Sequence, residues 1–189
     1  VEQIKLSPDN KKLVFSANTG PEKEDMDRRH IGSVDLFSKK LNWETSGTGI
    51  EAYPVTIGQG NTLAYFSATA QRPHLVTLKK GAEIRVLQEN LIPSDFPQTS
   101  LVTPKQVSFT APDGTIVYGQ LFEKAGGPAQ KPGVVFVHGG PQRQMLLGWS
   151  YMDYYSNTYA LNQYLAELGF VVLSVNFRLG IGYGYEFHR

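Results

Sequence analysis

One stretch of the chain joins a strand-forming run to residues that can stabilise negative charge. Residues 133–137 are mostly β-branched and apolar, and the run ends abruptly at His138, Gly139, Gly140 and Pro141. Such a run is typical of a parallel strand buried on both faces, and the carboxyl ends of parallel strands are where open α/β sheets bind ligands. Glycines at this edge let the backbone approach a substrate, with N–H groups facing charge that develops during a reaction.

Backbone N–H groups that stabilise developing negative charge serve acyl-transfer reactions, which also need a nucleophile such as a serine. The segment Gly-Trp-Ser-Tyr-Met at residues 148–152 resembles Gly-x-Ser-x-Gly, but Met152 stands where the sharp turn needs a residue without a side chain. No strand pattern leads directly into this segment. We therefore interpret Ser150 as a loop residue rather than a nucleophile.

Other chemistries find little support in the sequence. Cysteine is absent, which excludes disulfides, thiolate catalysis and Cys-based zinc sites. His30 and His74 are interpreted as surface or strand residues, and we make no prediction for His188. No histidine falls at metal-ligand spacing from a carboxylate, so we expect neither a metal nor a cofactor.

Composition limits the classes of partner. The net charge is +1, from 18 basic and 17 acidic residues, so nothing indicates a nucleic acid or an anionic membrane as partner. No apolar run approaches the roughly 18 residues of a membrane span. Residues 22–30 mix both signs of charge and are interpreted as a solvated loop. The sequence leaves the cellular compartment open.

The first half of the chain predicts short strands separated by turns. A turn-plus-strand phrase at residues 6–17 returns at residues 55–68, a spacing of about 50 residues that is in the range of propeller-blade repeats. Two interpretations stay open, propeller blades or an ordinary antiparallel sheet with similar hairpins. A segment with three prolines, residues 88–104, predicts a domain boundary.

The second half predicts a hairpin and then a strand–helix–strand unit. Residues 106–122 alternate on both sides of an Asp-Gly turn, a strong hairpin signal. A helix is predicted by N-caps at residues 156–158, an apolar stripe after them and Gly169 at the C-terminal end. Residues 170–175 predict a second buried strand, parallel to the first. The stripe comprises Leu161, Tyr164, Leu165 and Leu168.

The segment after this strand is rich in glycine. Its glycine spacing differs from the dinucleotide-binding fingerprint. We interpret it as a structural loop, with a site-lining loop that includes Arg178, Gly182 and Tyr183 as the alternative.

Three features follow one another along the chain: the Asp-Gly hairpin, the strand ending in His-Gly-Gly-Pro, and Asn-Phe-Arg followed by Gly-Tyr-Gly. Together they resemble the prolyl oligopeptidase family of serine peptidases, in its dipeptidyl peptidase IV and acylaminoacyl peptidase branches. The resemblance implies an α/β plus all-β fold. Residues 1–100 would form the last blades of a β-propeller, and residues 101–189 the N-terminal part of an α/β-hydrolase catalytic domain. The Leu-Ser-Pro-Asp at residues 6–9 is similar to a repeat of that propeller.

What the resemblance implies for function is cleavage of short peptides by Ser-His-Asp acyl transfer. The backbone N–H groups of Gly140 and Gly139 would form the oxyanion hole, supported by His138 and Pro141. The dipeptidyl peptidase IV branch has a Tyr hydroxyl where this chain has His138, so the acylaminoacyl peptidase arrangement is favoured. The triad would lie beyond Arg189, and the chain alone is expected to be inactive. A peptide substrate is expected as partner, and a homo-oligomer through hydrolase domains.

Two other functions remain open on the sequence. One is a carboxylesterase or lipase that uses the same loop for acyl transfer, although such enzymes usually lack a propeller. The other is a non-catalytic binding module whose hydrolase fold has lost its nucleophile.

Overall fold

A computed structural model describes all of residues 1–189, in which three four-stranded sheets carry most of the structure. In the first two sheets the strands lie in chain order and each pairs antiparallel with the next. The first sheet holds β1 (Glu2–Leu6), β2 (Lys12–Ala17), β3 (His30–Asp35) and β4 (Leu41–Trp43). The second holds β5 (Ile50–Ile57), β6 (Thr62–Ala68), β7 (Leu75–Lys80) and β8 (Glu83–Val86).

The recurring phrase of the sequence falls on β2 and β6, the second strand of each sheet. In the first copy, the side chains of Ser7 and Asp9 build the preceding turn. The Ser7 hydroxyl donates to Asp9 at 2.6 Å and accepts the Lys12 N–H at 2.9 Å. The prediction of short strands joined by tight turns is therefore confirmed for this half, and neither sheet closes on itself.

The third sheet has the order β11-β12-β10-β9. Its strands are β9 (Lys105–Thr110), β10 (Ile116–Phe122), β11 (Gly133–Val137) and β12 (Val171–Asn176). The predicted hairpin joins β9 to β10 and has Gly114 at φ +85°, a conformation that favours glycine. The parallel pairing of β11 with β12 is also confirmed, and helix α1 (Asp153–Glu167) connects them. A short helix, α2 (Tyr185–His188), follows.

The main core lies between the second sheet, the third sheet and α1. Its eight buried apolar residues come from both halves of the chain, so the two halves pack directly on each other. They are Ile50, Ala68, Phe122, Leu146, Trp149, Tyr159, Ala166 and Val172. A smaller cluster, Val14, Ile31, Leu63 and Tyr65, joins the first two sheets.

Helix α1 differs from the prediction in its start and in its buried face. It begins at Asp153, ahead of the predicted caps, although Gly169 does follow its end at φ +91°. Three residues of the predicted apolar stripe, Leu161, Tyr164 and Leu168, face solvent with exposures of 51%, 60% and 56%, whereas Leu165 is half-buried and packs against the main core. The buried face instead consists of Tyr155, Tyr159, Asn162, Gln163 and Ala166.

Tyr159 and Gln163, on this buried face, have partners elsewhere in the chain, whereas the buried Oδ1 of Asn162 has none. The Tyr159 hydroxyl donates to the Ala70 carbonyl at 2.8 Å. The Gln163 amide accepts from the N–H of Val102 at 2.9 Å and donates to its carbonyl at 2.8 Å. Because these bonds satisfy the polar groups of Tyr159 and Gln163, burying them costs little and their apolar parts still pack.

Two further predictions about burial are wrong. Strand β11 lies at a sheet edge with only one face packed, so Val135 and Val137 are exposed at 63% and 61%. Residues 22–30 are not a solvated loop, because Asp25, Asp27, Arg29 and His30 are all buried. A 3-10 turn, Lys23–Asp27, folds these charges inward, where each finds a polar partner.

No helix of the chain is both long and apolar enough to cross a membrane.

Candidate functional site

The loop after β11 is fixed by the buried ring of His138. This ring stacks on Phe177 with a centroid distance of 4.5 Å and meets Tyr155 edge-on at 6.4 Å. The His138 Nδ1 lies 2.9 Å from the Gly139 carbonyl oxygen, which also accepts a bond from the Tyr155 hydroxyl at 3.0 Å. Strand β11, the end of β12 and the first turn of α1 thus hold one carbonyl group in place.

This arrangement leaves the opposite side of the loop backbone free. Gly139 and Gly140 are exposed, and neither N–H donates a hydrogen bond within the chain. Gly140 has φ +143°, and a Cβ there would lie 3.0 Å from Arg143 Cγ and from the Gln142 nitrogen. Glycine is therefore strongly favoured at this position, where two adjacent N–H groups are available to an anion.

The imidazole of His138 is not placed to act as a base. Burial lowers its pKa below 6.5, opposed by the bond to Gly139 and assisted by the positive charge of Arg143. Its Nε2 is buried and has no hydrogen-bond partner. A neutral ring that packs on two aromatic side chains supports the loop conformation.

No serine–histidine pair forms within the chain. The buried Ser150 hydroxyl accepts the Met152 N–H at 3.2 Å and bonds to no histidine. His74 is neutral at ordinary pH, because burial and the charge of Arg72 lower its pKa to about 4. His188 Nδ1 lies 3.3 Å from the Gly180 carbonyl oxygen. Ser150 therefore has no general base within hydrogen-bond distance.

The glycine-rich loop after β12 packs against the segment that follows the His-Gly-Gly-Pro loop. The Ile181 N–H donates to the Arg143 carbonyl at 3.2 Å. Gly182 is so close to Gln144 that a Cβ would fall 2.2 Å from its Oε1. Arg178 points elsewhere, to an exposed ion pair with Asp113 in the hairpin turn.

Tyr183 belongs to a buried polar cluster that the sequence analysis missed. Its hydroxyl donates to Asp27, whose carboxylate also accepts from Gln106 at 2.8 Å and from Gln144 at 2.9 Å. Burial raises the Asp27 pKa above 3.8 despite the three bonds that favour its charged form. The cluster links the first sheet to both loops.

Asn176, at the end of β12, holds the same segment from the other side. Its side chain accepts from the Met145 N–H at 2.7 Å and donates to the Met145 carbonyl at 3.0 Å. The Gln120 amide donates to that carbonyl as well, at 2.8 Å. In the sequence, Gln120 and Asn176 are polar residues on mostly apolar strands, and this was the available signal that they have buried partners.

A second buried cluster surrounds His30, on β3. Its Nδ1 lies 2.8 Å from Glu51 and its Nε2 lies 3.3 Å from Asp25. Burial opposes protonation, but the bonds and charges of these two carboxylates outweigh it and raise the His30 pKa above 6.5. The mixed charges directly before a predicted strand were the available signal for this cluster.

Comparison with solved structures shows the fold that this chain shares. A puromycin-hydrolysing peptidase of Mycobacterium tuberculosis aligns with 99% of the chain, with a TM-score of 0.73 and 20% sequence identity. The acylaminoacyl peptidase of Pyrococcus horikoshii aligns with 94% of the chain, with a TM-score of 0.69 and 22% identity. No family model matches the chain, and no curated protein matches it.

The chain spans about a quarter of the length of these two structures, 27% and 25% respectively. Both alignments run across the all-β half and the α/β half together, since they cover nearly the whole chain. The arrangement of the three sheets is therefore one that known peptidases contain.

Proposed function

We propose that this chain is part of a serine peptidase of the prolyl oligopeptidase type. In this proposal the first two sheets are the last blades of a β-propeller, and residues 101–189 begin an α/β-hydrolase domain. The order of the elements, the likeness to two peptidase structures and the family resemblance of the motifs support it. The substrate would be a short peptide.

The observation that carries the proposal is the pair of free N–H groups at Gly139 and Gly140. They lie at the carboxyl end of a parallel strand, and their loop is held rigid by Tyr155 and His138. Preorganised backbone donors lower the energy of a tetrahedral oxyanion because they need no rearrangement when the charge develops. We assign the Gly140 N–H as the main donor and Gly139 as the supporting one.

The rest of the proposed reaction needs residues from outside this chain. Ser150 lacks a hydrogen-bonded base, and none of the four histidines is within hydrogen-bond distance of a serine hydroxyl, although His74 and Ser150 border the same cleft. An acyl-enzyme forms only when a serine loses its proton to a base as it attacks the carbonyl carbon. The 189-residue chain alone is accordingly expected not to hydrolyse peptides. The loop around Gly182 and Tyr183 would border the site on one side.

A second candidate is a non-catalytic binding module of the same fold. The absence of a serine–histidine pair is the observation that favours it. An esterase built on the same loop would differ from the peptidase in substrate only, and a panel of matched ester and amide substrates separates these two.

A serine-directed fluorophosphonate probe tests the proposal. The longer protein that the proposal requires, one that extends this chain beyond Arg189, would be treated beside the 189-residue chain, and the labelled peptide identified by mass spectrometry. Labelling of a downstream serine in the longer protein only is the expected result. A folded longer protein that takes no label would support the binding module, and label at Ser150 in the short chain would contradict our assignment.

A further inference from the structure

A cleft of about 400 Å³ lies between the second sheet and the start of α1. From the sheet, Tyr53 and Phe66 line it, together with His74 on the following loop. Tyr151 and Asp153 line it from the other half of the chain, and Pro73, Ser150 and Ser156 complete the wall. The cleft is open to solvent and lies outside the loop of Gly139 and Gly140, which the proposed acyl transfer uses.

Three aromatic rings form a corner in this cleft. The ring of Tyr53 stands nearly perpendicular to Phe66, at 89° and 6.1 Å, and to Tyr151, at 81° and 5.9 Å. The Tyr151 hydroxyl is already occupied by a hydrogen bond to Glu2, so this residue offers its ring. Rings set at right angles around a space are the arrangement that recognises organic cations through their electron-rich faces.

The backbone at Tyr53 is strained in a way that places this ring. Its φ is +54°, a left-handed conformation that bulky residues rarely adopt, and Pro54 follows directly. A bulge in β5 between Ala52 and Val55 accommodates the strain, and the Tyr53 N–H donates to Gln3 at 2.8 Å. Strained residues that the surrounding structure holds in place cluster at binding sites.

The charge of the cleft suits a cation as well. Asp153, the first residue of α1, is exposed and makes no ion pair or hydrogen bond within the chain. No Lys or Arg side chain lines the cleft, and His74 is neutral because its pKa is about 4. The wall therefore carries one free negative charge beside three aromatic rings.

We propose that this cleft binds an organic ammonium group, with the rings of Tyr53, Phe66 and Tyr151 against its apolar part and the Asp153 carboxylate facing its charge. The ammonium group belongs either to a small amine or to the amino-terminal residue of a peptide. The proposal does not depend on acyl transfer, since binding requires no nucleophile.

The test is a titration of the 189-residue chain with phenethylammonium, followed by amide chemical shifts in NMR. We expect weak, saturable binding with shifts centred on the cleft. The Asp153→Asn variant should bind about fivefold more weakly, the effect of removing one exposed ion pair. Exposed Glu83, at the far edge of the same sheet, provides the matched control, and Glu83→Gln should leave the affinity unchanged.

A second variant separates the ring from the charge. Tyr53→Gly removes the ring, and glycine adopts φ +54° more easily than tyrosine, so this variant should fold and bind about five- to tenfold more weakly. The neutral analogue 2-phenylethanol should bind more weakly than phenethylammonium to the unaltered chain. Equal binding of the two compounds, or unchanged affinity in both Asp153→Asn and Tyr53→Gly, would overturn the proposal.

Titrations with two tripeptides identify the source of the ammonium group. A tripeptide with a free amino-terminal Phe and its acetylated form would be titrated in the same way. Binding of the free form only assigns the cleft to peptide termini, whereas binding of phenethylammonium and neither peptide assigns it to small amines. Equal binding of both tripeptides would contradict recognition of the ammonium group.

Discussion

Replacing Asp27 by Ala should destabilise the fold strongly, because this carboxylate joins the two halves of the chain. Its side chain accepts bonds from Gln106, Gln144 and Tyr183, all in the second half, and its backbone carbonyl accepts the Leu147 N–H at 2.9 Å. The alanine variant keeps the backbone bond and loses the three side-chain bonds.

The size of the loss follows from which donors stay unpaired. The Gln144 amide also donates to the Met26 carbonyl at 2.7 Å, so it keeps one partner. Gln106 and the Tyr183 hydroxyl would lose the only acceptor that each has. Two fully buried donors without partners would cost about 1–3 kcal/mol each, and because Gln106 and Tyr183 are only half-buried, the loss in the free energy of unfolding should lie in the lower part of about 2–6 kcal/mol.

Asparagine at the same position should be far less harmful. It keeps one acceptor oxygen, and it removes the charge whose burial raises the pKa of Asp27 above 3.8. The carboxyl group of Asp27 holds its proton more tightly in the folded chain than in the unfolded chain. The stabilisation that the protonated group provides is therefore lost as pH rises from 3.8 through the pKa of the folded state. Asp27→Asn should lack that pH dependence, so its stability relative to the natural chain rises across the same range.

Urea unfolding followed by circular dichroism measures both effects, with the slope against urea checked for a constant unfolded state. The expected order at neutral pH is the natural chain close to Asp27→Asn, with Asp27→Ala well below both. An Asp27→Ala variant within about 1 kcal/mol of the natural chain would refute the link between the halves. Equal losses in the alanine and asparagine variants would refute the hydrogen-bond argument.

Three further predictions concern single positions. His30→Gln should cost about 3–5 kcal/mol below pH 6.5 and less as pH rises through the raised pKa of His30, as measured by urea unfolding; a constant difference would contradict it. Gly182→Ala, with a Cβ 2.2 Å from Gln144 Oε1 at φ +101°, should lower stability by about 1–3 kcal/mol in thermal melts, and an unchanged melting temperature would count against that contact. Gly140→Ala in an active longer protein should lower kcat about 100-fold or more, while full activity would exclude this loop from the oxyanion site.

The sequence predicted those parts of the fold that neighbouring residues decide. The turn at Gly114 and the turn before β2 depend on residues within a few positions of one another. The parallel pairing of β11 with β12 follows from the length and order of the strand–helix–strand unit. Local chemistry was sufficient for each of these.

Distant partners decided what could not be predicted. The buried face of α1 depends on Gln163, which bonds to Val102, 61 positions away. Burial of Asp27 depends on Gln144, 117 positions away. A hydrophobic pattern cannot show that a polar side chain will find such a partner, so a stripe that is mostly exposed was predicted to be the buried face.

The same distinction between locally decided features and features decided by distant partners applies to the candidate site. The free backbone at Gly139 and Gly140 could be anticipated, since adjacent glycines after an apolar run leave the backbone accessible. The supporting bonds from Tyr155 and Asn176 could not, because each reaches a backbone group of a separate loop. The aromatic corner at Tyr53 likewise combines residues from both halves of the chain.

The most direct measurement is fluorophosphonate labelling of the longer protein that the proposal requires, one that extends this chain beyond Arg189, with and without Gly140→Ala. We predict rapid labelling of one serine in the unaltered longer protein, slower labelling in the variant, and none in the 189-residue chain. Labelling that proceeds at the same rate in the variant would contradict the role of this loop. A folded longer protein without any labelled serine would contradict the peptidase assignment itself.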